Sequence, residues 1–300
     1  MDNRAEVRAF LVSRREKISP REVGLPELGQ RRVRGLRRGE VAALAGVSIE
    51  YYAKLERGQI GGASPSVLDS IAKALRLDDA ERAHLFHLAQ AADGSSAMLR
   101  PRRRKAWTPS PQLSWVLQAI TAGPAIVRNG RMDLLATNAL GHAMHASLYE
   151  RSTTPVPNFA RYTFLDEDSQ RFYRNWDVAA DTAVSILRTE SGRDPHDRLM
   201  HDLIGELSTR SDEFRVRWAR QDVRLHSGGT KYFHHTAVGD LDLAYESVDM
   251  LSEPGLTLTI YAAEPASTTE QSLRLLASWA AEQAPQPAQP PTQLTNGTDA

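Results

Sequence analysis

Five arginines fall within the eleven residues from Leu28 to Arg38, and no acidic side chain interrupts them. A polyanion rewards such clustering, because each guanidinium that meets a phosphate releases a condensed counterion. Directly after this run, the segment Arg37 to Gly58 reads as two short helices around the turn Ala45-Gly46-Val47-Ser48. Gly46 supplies the positive φ that ends the first helix, and Ser48 can cap the second. Tyr52 and Leu55 fall on one face of the second helix, which turns Ile49, Glu50, Tyr51 and Lys54 outward. A helix pair held this way can place its second helix in a major groove with its N-terminal residues foremost. An ordinary helical hairpin beside a solvated loop is the alternative that the pattern alone leaves open.

The elements around this pair are helical. Residues 3–17 form an amphipathic helix with Val7, Phe10 and Leu11 inward and Arg8, Arg14 and Arg15 expected outside. Ser19-Pro20-Arg21-Glu22 is a helix start, cut short by Gly24 and Pro26. Ser64-Pro65 opens a helix with the stripe Val67, Leu68, Ile71, Ala72 and Leu75. Asp78 to Glu81 opens another, running to about Ala91, with Leu85, Phe86, Leu88 and Ala89 inward. Asp93-Gly94-Ser95-Ser96 closes this five-helix unit, and Arg100 to Lys105 is a basic linker.

Composition bounds the rest. Three hundred residues with 41% hydrophobic content suffice for two cores. The absence of cysteine excludes disulfides, thiolate catalysis and zinc–thiolate sites. A charged N-terminus and the lack of a long apolar run predict a cytoplasmic protein without signal peptide or membrane span. The net charge of zero hides an asymmetry: residues 1–105 carry 21 basic and 13 acidic side chains, and the remainder carries an equal excess of acid. Only the first part is suited to a polyanion.

The second part reads as mixed α and β. Pro111–Thr121 is helical. Residues 124–128 and 131–136 form a hairpin around Asn129-Gly130, the strongest short turn signal. Helices are expected at 138–147, 168–190, 195–208 and 211–220. Strands are expected at 223–226, 231–236, 240–247 and 256–262, an antiparallel meander separated from the hairpin by the helices. Ser267 and Glu270 start a last helix to about Gln283, and the tail from Pro285 has a disordered composition. On helix 211–220, Phe214, Trp218 and Gln221 share one face, and two of the three are large and apolar. An inward Gln221 needs a partner, for which Asn138, Asp222, His235 or a ligand's polar head are candidates.

The segment Ala42, Gly46-Val47-Ser48 and Leu55-Glu56-Arg57-Gly58 is similar to the helix-turn-helix of Xre/Cro-like repressors. The wider pattern resembles the MmyB-like transcription regulators of actinobacteria, Xre-type proteins with a C-terminal PAS-like ligand-binding domain. It is carried by residues 18–26, 36–48, Tyr51-Tyr52, Pro65, Val67-Leu68, 77–86, 192–195, Trp218-Ala219-Arg220, Tyr245-Glu246-Ser247 and 261–265. The resemblance implies that Ile49, Glu50, Tyr51 and Lys54 meet base edges, with Ser48 at the helix start. It places Arg34, Arg37, Arg38 and Arg57 on phosphates, with Arg31 and Arg32 in the basic loop beside them. It further implies that the second domain binds a small acyl-chain-like effector such as a fatty acid, which puts the expected ligand site at Asn138, Phe214, Trp218, Gln221, Asp222 and His235. Two departures bear on the ligand: Thr137-Asn138 stands where the family commonly has Trp-Asn, and Gln221 where it commonly has His.

Competing chemistry is thin. His142 and His145 lie three apart on a helix, and His234-His235 are adjacent on a strand, where neighbours point to opposite faces. His142 and His145 have no Asp or Glu at ligand spacing beside them, so surface or core histidines are the favoured reading over a metal site, and no phosphate-binding loop, nucleophile elbow or dinucleotide fingerprint is present. An interaction module without ligand response and a metal-dependent enzyme remain as alternatives. The expected fold is α+β in two domains. An all-α five-helix Xre/Cro-like helix-turn-helix domain (1–95) is joined by a basic linker (96–106) to a PAS-like α/β sensor domain with an antiparallel sheet (107–283). A disordered tail (284–300) follows. The expected protein is a homodimer that binds a double-stranded DNA operator and a small-molecule effector, without cofactor, catalytic residues, metal or membrane.

Overall fold

The computed structural model describes residues 3–26, 33–93, 107–223 and 228–283. The N-terminal part is helical: α1 (Asn3–Lys17), a single tight turn of helix (Pro20–Val23), α2 (Arg38–Ala45), α3 (Ile49–Glu56), α4 (Pro65–Ala74) and α5 (Asp79–Ala92). The expected caps set these boundaries. Ser19, Ser48, Ser64 and Asp78 each accept a hydrogen bond from a backbone N–H three residues on. Gly46, at φ 66°, ends α2 in the left-handed conformation. The core between the helices is built from Phe10, Leu11, Val41, Tyr52, Leu55, Ile71 and Leu85, all almost fully buried.

Two arginines of α1 depart from expectation. Arg14 and Arg15 are 5% and 7% exposed. Each is buried because a carboxylate meets it there: Glu81 pairs with Arg14 at 3.0 Å, and Glu56 with Arg15 at 2.8 Å.

The second part comprises α6 (Pro111–Ala119), β1 (Ala125–Asn129), β2 (Leu134–Thr137), α7 (Ala139–Met144), α8 (Ala146–Glu150), α9 (Phe159–Leu165), α10 (Asp168–Phe172), α11 (Trp176–Arg193), α12 (Arg198–Arg210), α13 (Asp212–Ala219), β3 (Gly228–His235), β4 (Gly239–Asp249), β5 (Leu256–Ala263) and α14 (Thr268–Gln283). The five strands are antiparallel in the order β2-β1-β5-β4-β3. Alternation on β1 sends Ala125 and Val127 into a small cluster with Leu117 of α6, on one face of the sheet. Ile126 and Arg128 turn to the other face, under the helices from α7 to α13.

Several local expectations are corrected. The Asn129-Gly130 turn is longer than two residues: the Asn129 side-chain oxygen accepts from the N–H groups of Arg131 and Asp133, and the positive φ falls on Met132. Gly130 is needed for space instead, since a Cβ there would lie 2.7 Å from the Glu190 carboxylate. Residues 159–165, outside the expected helices, form α9. The helix expected over 168–190 breaks at residues 173–175, where Tyr173 bridges to Phe233 of β3. Gly228-Gly229 belongs to β3 instead of preceding it. Val223 is not in a strand and joins the N-terminal core. Residues 224–226, the basic linker and the tail lie outside the described residues. No helix among the described residues is long and apolar enough to cross a membrane.

Candidate functional site

The exposed end of α3 presents the expected readers. Ser48 Oγ accepts from Tyr51 N at 3.1 Å, fixing the first turn. Ile49, Glu50 and Lys54 are exposed and Tyr51 is half-buried, while Tyr52 and Leu55 lock the opposite face into the core. Arg34, Arg37 and Arg57 are exposed around this end. Arg31 and Arg32 lie outside the described residues.

Arg38 is held differently from its neighbours. Its Nε donates to Glu56 Oε1 at 2.8 Å, and Glu56 also receives Arg15. Burial alone would raise the Glu56 carboxyl, which is 1% exposed, but hydrogen bonds from Arg15 and Arg38 hold it below the usual carboxylate range. The Arg38 side chain stays half-exposed at the start of α2. A guanidinium anchored through one nitrogen and open at the others is preset for a charge-assisted phosphate contact.

The second domain encloses a cavity of about 310 Å³ between the inner sheet face and α11. Ile126, Met132, Phe159, Phe233, Ala179 and Ile186 form its apolar lining. Exposed Asn175, Val178, Thr230 and Tyr232 stand at its mouth. Two cations reach into it. Arg128 is 8% exposed, and its one hydrogen bond within the cavity wall goes to the carbonyl of Asn129 at 3.3 Å. Lys231 Nζ lies 3.4 Å from the Tyr261 hydroxyl and 4.5 Å from the centre of the Tyr245 ring. Neither cation has a carboxylate at ion-pair distance among the described residues. Burial, with Arg128 adding to it, lowers the Lys231 ammonium to about 7. Burial lowers Arg128 too, although Glu190 opposes that. The same burial raises Glu190, whose carboxylate pairs with Arg193 at 2.7 Å. The result is an apolar chamber with a positive end whose cations have no carboxylate at ion-pair distance among the described residues, which suits an anion carrying an apolar body.

The six ligand candidates from sequence do not line this cavity. Asn138 caps α7, and its amide also meets Ala125 N, Ile120 O and Gly123 O, so every polar group is used in tying α7 to β1. Phe214 is fully buried and stacks with Trp218 at 5.5 Å. Trp218 lies under the Arg188 guanidinium, 4.0 Å from it. Gln221 accepts from Arg188 through its side chain and from Arg14 through its carbonyl. Asp222 pairs with Lys17 of α1 at 2.6 Å. His235 is held between Ala143 O and Ala237 N. The inward face that sequence identified on α13 is thus satisfied by protein groups, and Gln221-Asp222 belong to the contact between the domains.

The histidines do not converge. His145 bonds the Gly141 carbonyl and is lowered by burial to about 4, His142 stacks on Tyr149, and His234 pairs with Asp240. No cluster of three potential metal ligands occurs among the described residues.

Sequence reasoning missed Arg128 and Lys231. The signal was present as parity: Arg128 shares a face with inward Ile126, and Lys231 with inward Phe233, so each is a cation on the inward strand face, Arg128 buried and Lys231 half-buried.

Comparison with known proteins agrees with this architecture. Residues 109–276 match the family model described as the MmyB-like transcription regulator ligand binding domain, and residues 27–85 match a helix-turn-helix domain. Among curated proteins none matches the chain.

Proposed function

The chain belongs to the MmyB-like transcription regulators, a DNA-binding regulator with a ligand-binding domain, and on that premise we propose that it senses an acid with an apolar body, such as a fatty acid. The acid's head lies between Arg128 and Lys231, and its body lies along Ile126, Phe159, Ile186 and Phe233. The observation that carries this reading is the pair of cations without a carboxylate partner inside an apolar cavity. A buried charge without a counterion is costly, and a ligand carboxylate removes that cost.

On the DNA side, Ile49, Glu50, Tyr51 and Lys54 read base edges while Arg34, Arg37, Arg38 and Arg57 hold phosphates. One such helix covers few base pairs, so the protein acts in the cytoplasm as a homodimer on a two-fold operator with half-sites one turn apart. Titrating decanoate and laurate while following thermal unfolding tests the ligand. Saturation at a hundredfold excess over Kd should stabilise the protein by about 2.7 kcal/mol. At the same concentration the Arg128→Met variant should gain about half as much or less. Absence of any shift in the wild-type protein would remove the acid reading.

A further inference from the structure

Helix α11 touches both functional parts of the molecule. Val178, Ala179, Thr182 and Ile186 face the cavity. Ser185, Arg188 and Gly192 lie on an adjacent face, about a quarter-turn round the helix, and are buried. There Arg188, fully buried, pairs with Glu6 of α1 and donates to Gln221 Oε1 and the Trp218 carbonyl. One turn on, α11 meets α5 so closely that a Cβ on Gly192 would lie 2.7 Å from the His84 ring. His84 is itself fully buried against Phe10, with neither ring nitrogen partnered among the described residues.

We infer that α11 carries the state of the cavity to the DNA-binding domain, with Arg188 as the positioning residue that fixes α1 against it and Gly192 as the point where α5 packs on it. This rests on the cavity being the ligand site. The physical reason is geometric: a single helix separates the lining from the α1–α5 face, and close-packed interiors transmit displacement instead of absorbing it. A ligand that shifts α11 must either move α1 and α5 with it or break a buried ion pair. Buried pairs of this kind favour discrete arrangements, which is what a switch between two domain positions requires.

A double-mutant cycle tests this without any ligand. Thr182→Phe crowds the cavity side of α11, and Glu6→Gln removes the charge that meets Arg188. Affinity is read on a duplex selected from random DNA by the wild-type protein, and amide hydrogen exchange is read at α5. Thr182→Phe should change DNA affinity by about fivefold or more in the parent and by less than about twofold beside Glu6→Gln. Exchange at α5 should follow the same pattern. Equal effects in both backgrounds, or no effect in either, would overturn the inference. If Glu6→Gln fails to fold, the pair Glu6→Leu with Arg188→Leu removes both charges and takes its place.

Decanoate run alongside separates the two readings. If decanoate fails to bind, the acid reading goes while the cycle still decides the coupling. If no duplex is selected, the DNA reading goes and the exchange arm decides.

Discussion

The ammonium of Lys231 stands 3.4 Å from the hydroxyl of Tyr261, under the ring of Tyr245 and on the same side of the sheet as Arg128. Burial lowers Lys231 to about 7 and raises the Tyr261 phenol, so near neutral pH the ammonium exchanges its proton while the phenol keeps its own.

Binding of an acid should therefore depend on pH through Lys231. The complex favours the charged ammonium, so affinity should be flat below pH 7 and fall by up to about tenfold per unit above it. The empty protein should behave oppositely. Its Lys231 binds fewer protons than in the unfolded chain between about 7 and the ordinary lysine value near 10, so stability rises with pH there. Calorimetric titration with decanoate from pH 6 to 9 checks the first slope, and Lys231→Met should abolish it.

On the DNA surface the residues divide by what they touch. Lys54→Ala and Glu50→Ala should relax preference at single base pairs, each by about 1–3 kcal/mol. Arg34→Ala should weaken all duplexes alike and flatten the salt dependence by about one unit. Fluorescence anisotropy at several salt concentrations separates the two behaviours. Unchanged discrimination in Lys54→Ala and Glu50→Ala would displace α3 as the reader.

Glu56 joins stability to DNA contact. Glu56→Ala leaves Arg15 buried without its carboxylate and should cost about 3–5 kcal/mol. Its depressed carboxyl contributes stability that is present above the unfolded value near 4 and lost as pH falls through the lower folded value. Acid titration of the wild-type protein and of Glu56→Gln, followed by circular dichroism, should show the transition moved or removed in the variant. Because Glu56 also anchors Arg38, the variant should lose phosphate affinity under conditions where it remains folded.

Much of this was legible beforehand because its causes are local. The caps at Ser48, Ser64 and Asp78, the turn at Gly46 and the outward face of α3 follow from neighbouring residues alone. What escaped depended on partners far along the chain. Arg14 and Arg15 read as surface residues because Glu81 and Glu56 were out of view. The polar Gln221 on an inward face was recognised, but its partner is Arg188, thirty-three residues earlier and on another helix. Gly130 read as a turn former because nothing in its surroundings announced Glu190. Arg128 and Lys231 were recoverable from strand parity, yet their convergence at one cavity depends on sheet order, which sets β5 and β4 between β1, carrying Arg128, and β3, carrying Lys231.

The last prediction compares Arg128 with Gln221, since the two make opposite claims about where a ligand's polar head lies. Gln221 sits at φ 58° and is 9% exposed, with its side chain committed to Arg188. Gln221→Leu removes an acceptor from a buried guanidinium and should cost about 1–3 kcal/mol of stability. It should leave affinity for decanoate unchanged, because none of its atoms faces the cavity. Arg128→Met should do the reverse. Removing a buried cation that lacks a carboxylate partner relieves a desolvation cost, so the empty variant should melt higher than wild type. The same change takes away the charge that meets the acid, worth at least about tenfold in affinity, or roughly 1.4 kcal/mol, at pH 7. Melting curves with and without decanoate give all four values in one series. If Gln221→Leu lost affinity while Arg128→Met kept it, the polar head would lie at the contact between the domains, and the cavity assignment would fall.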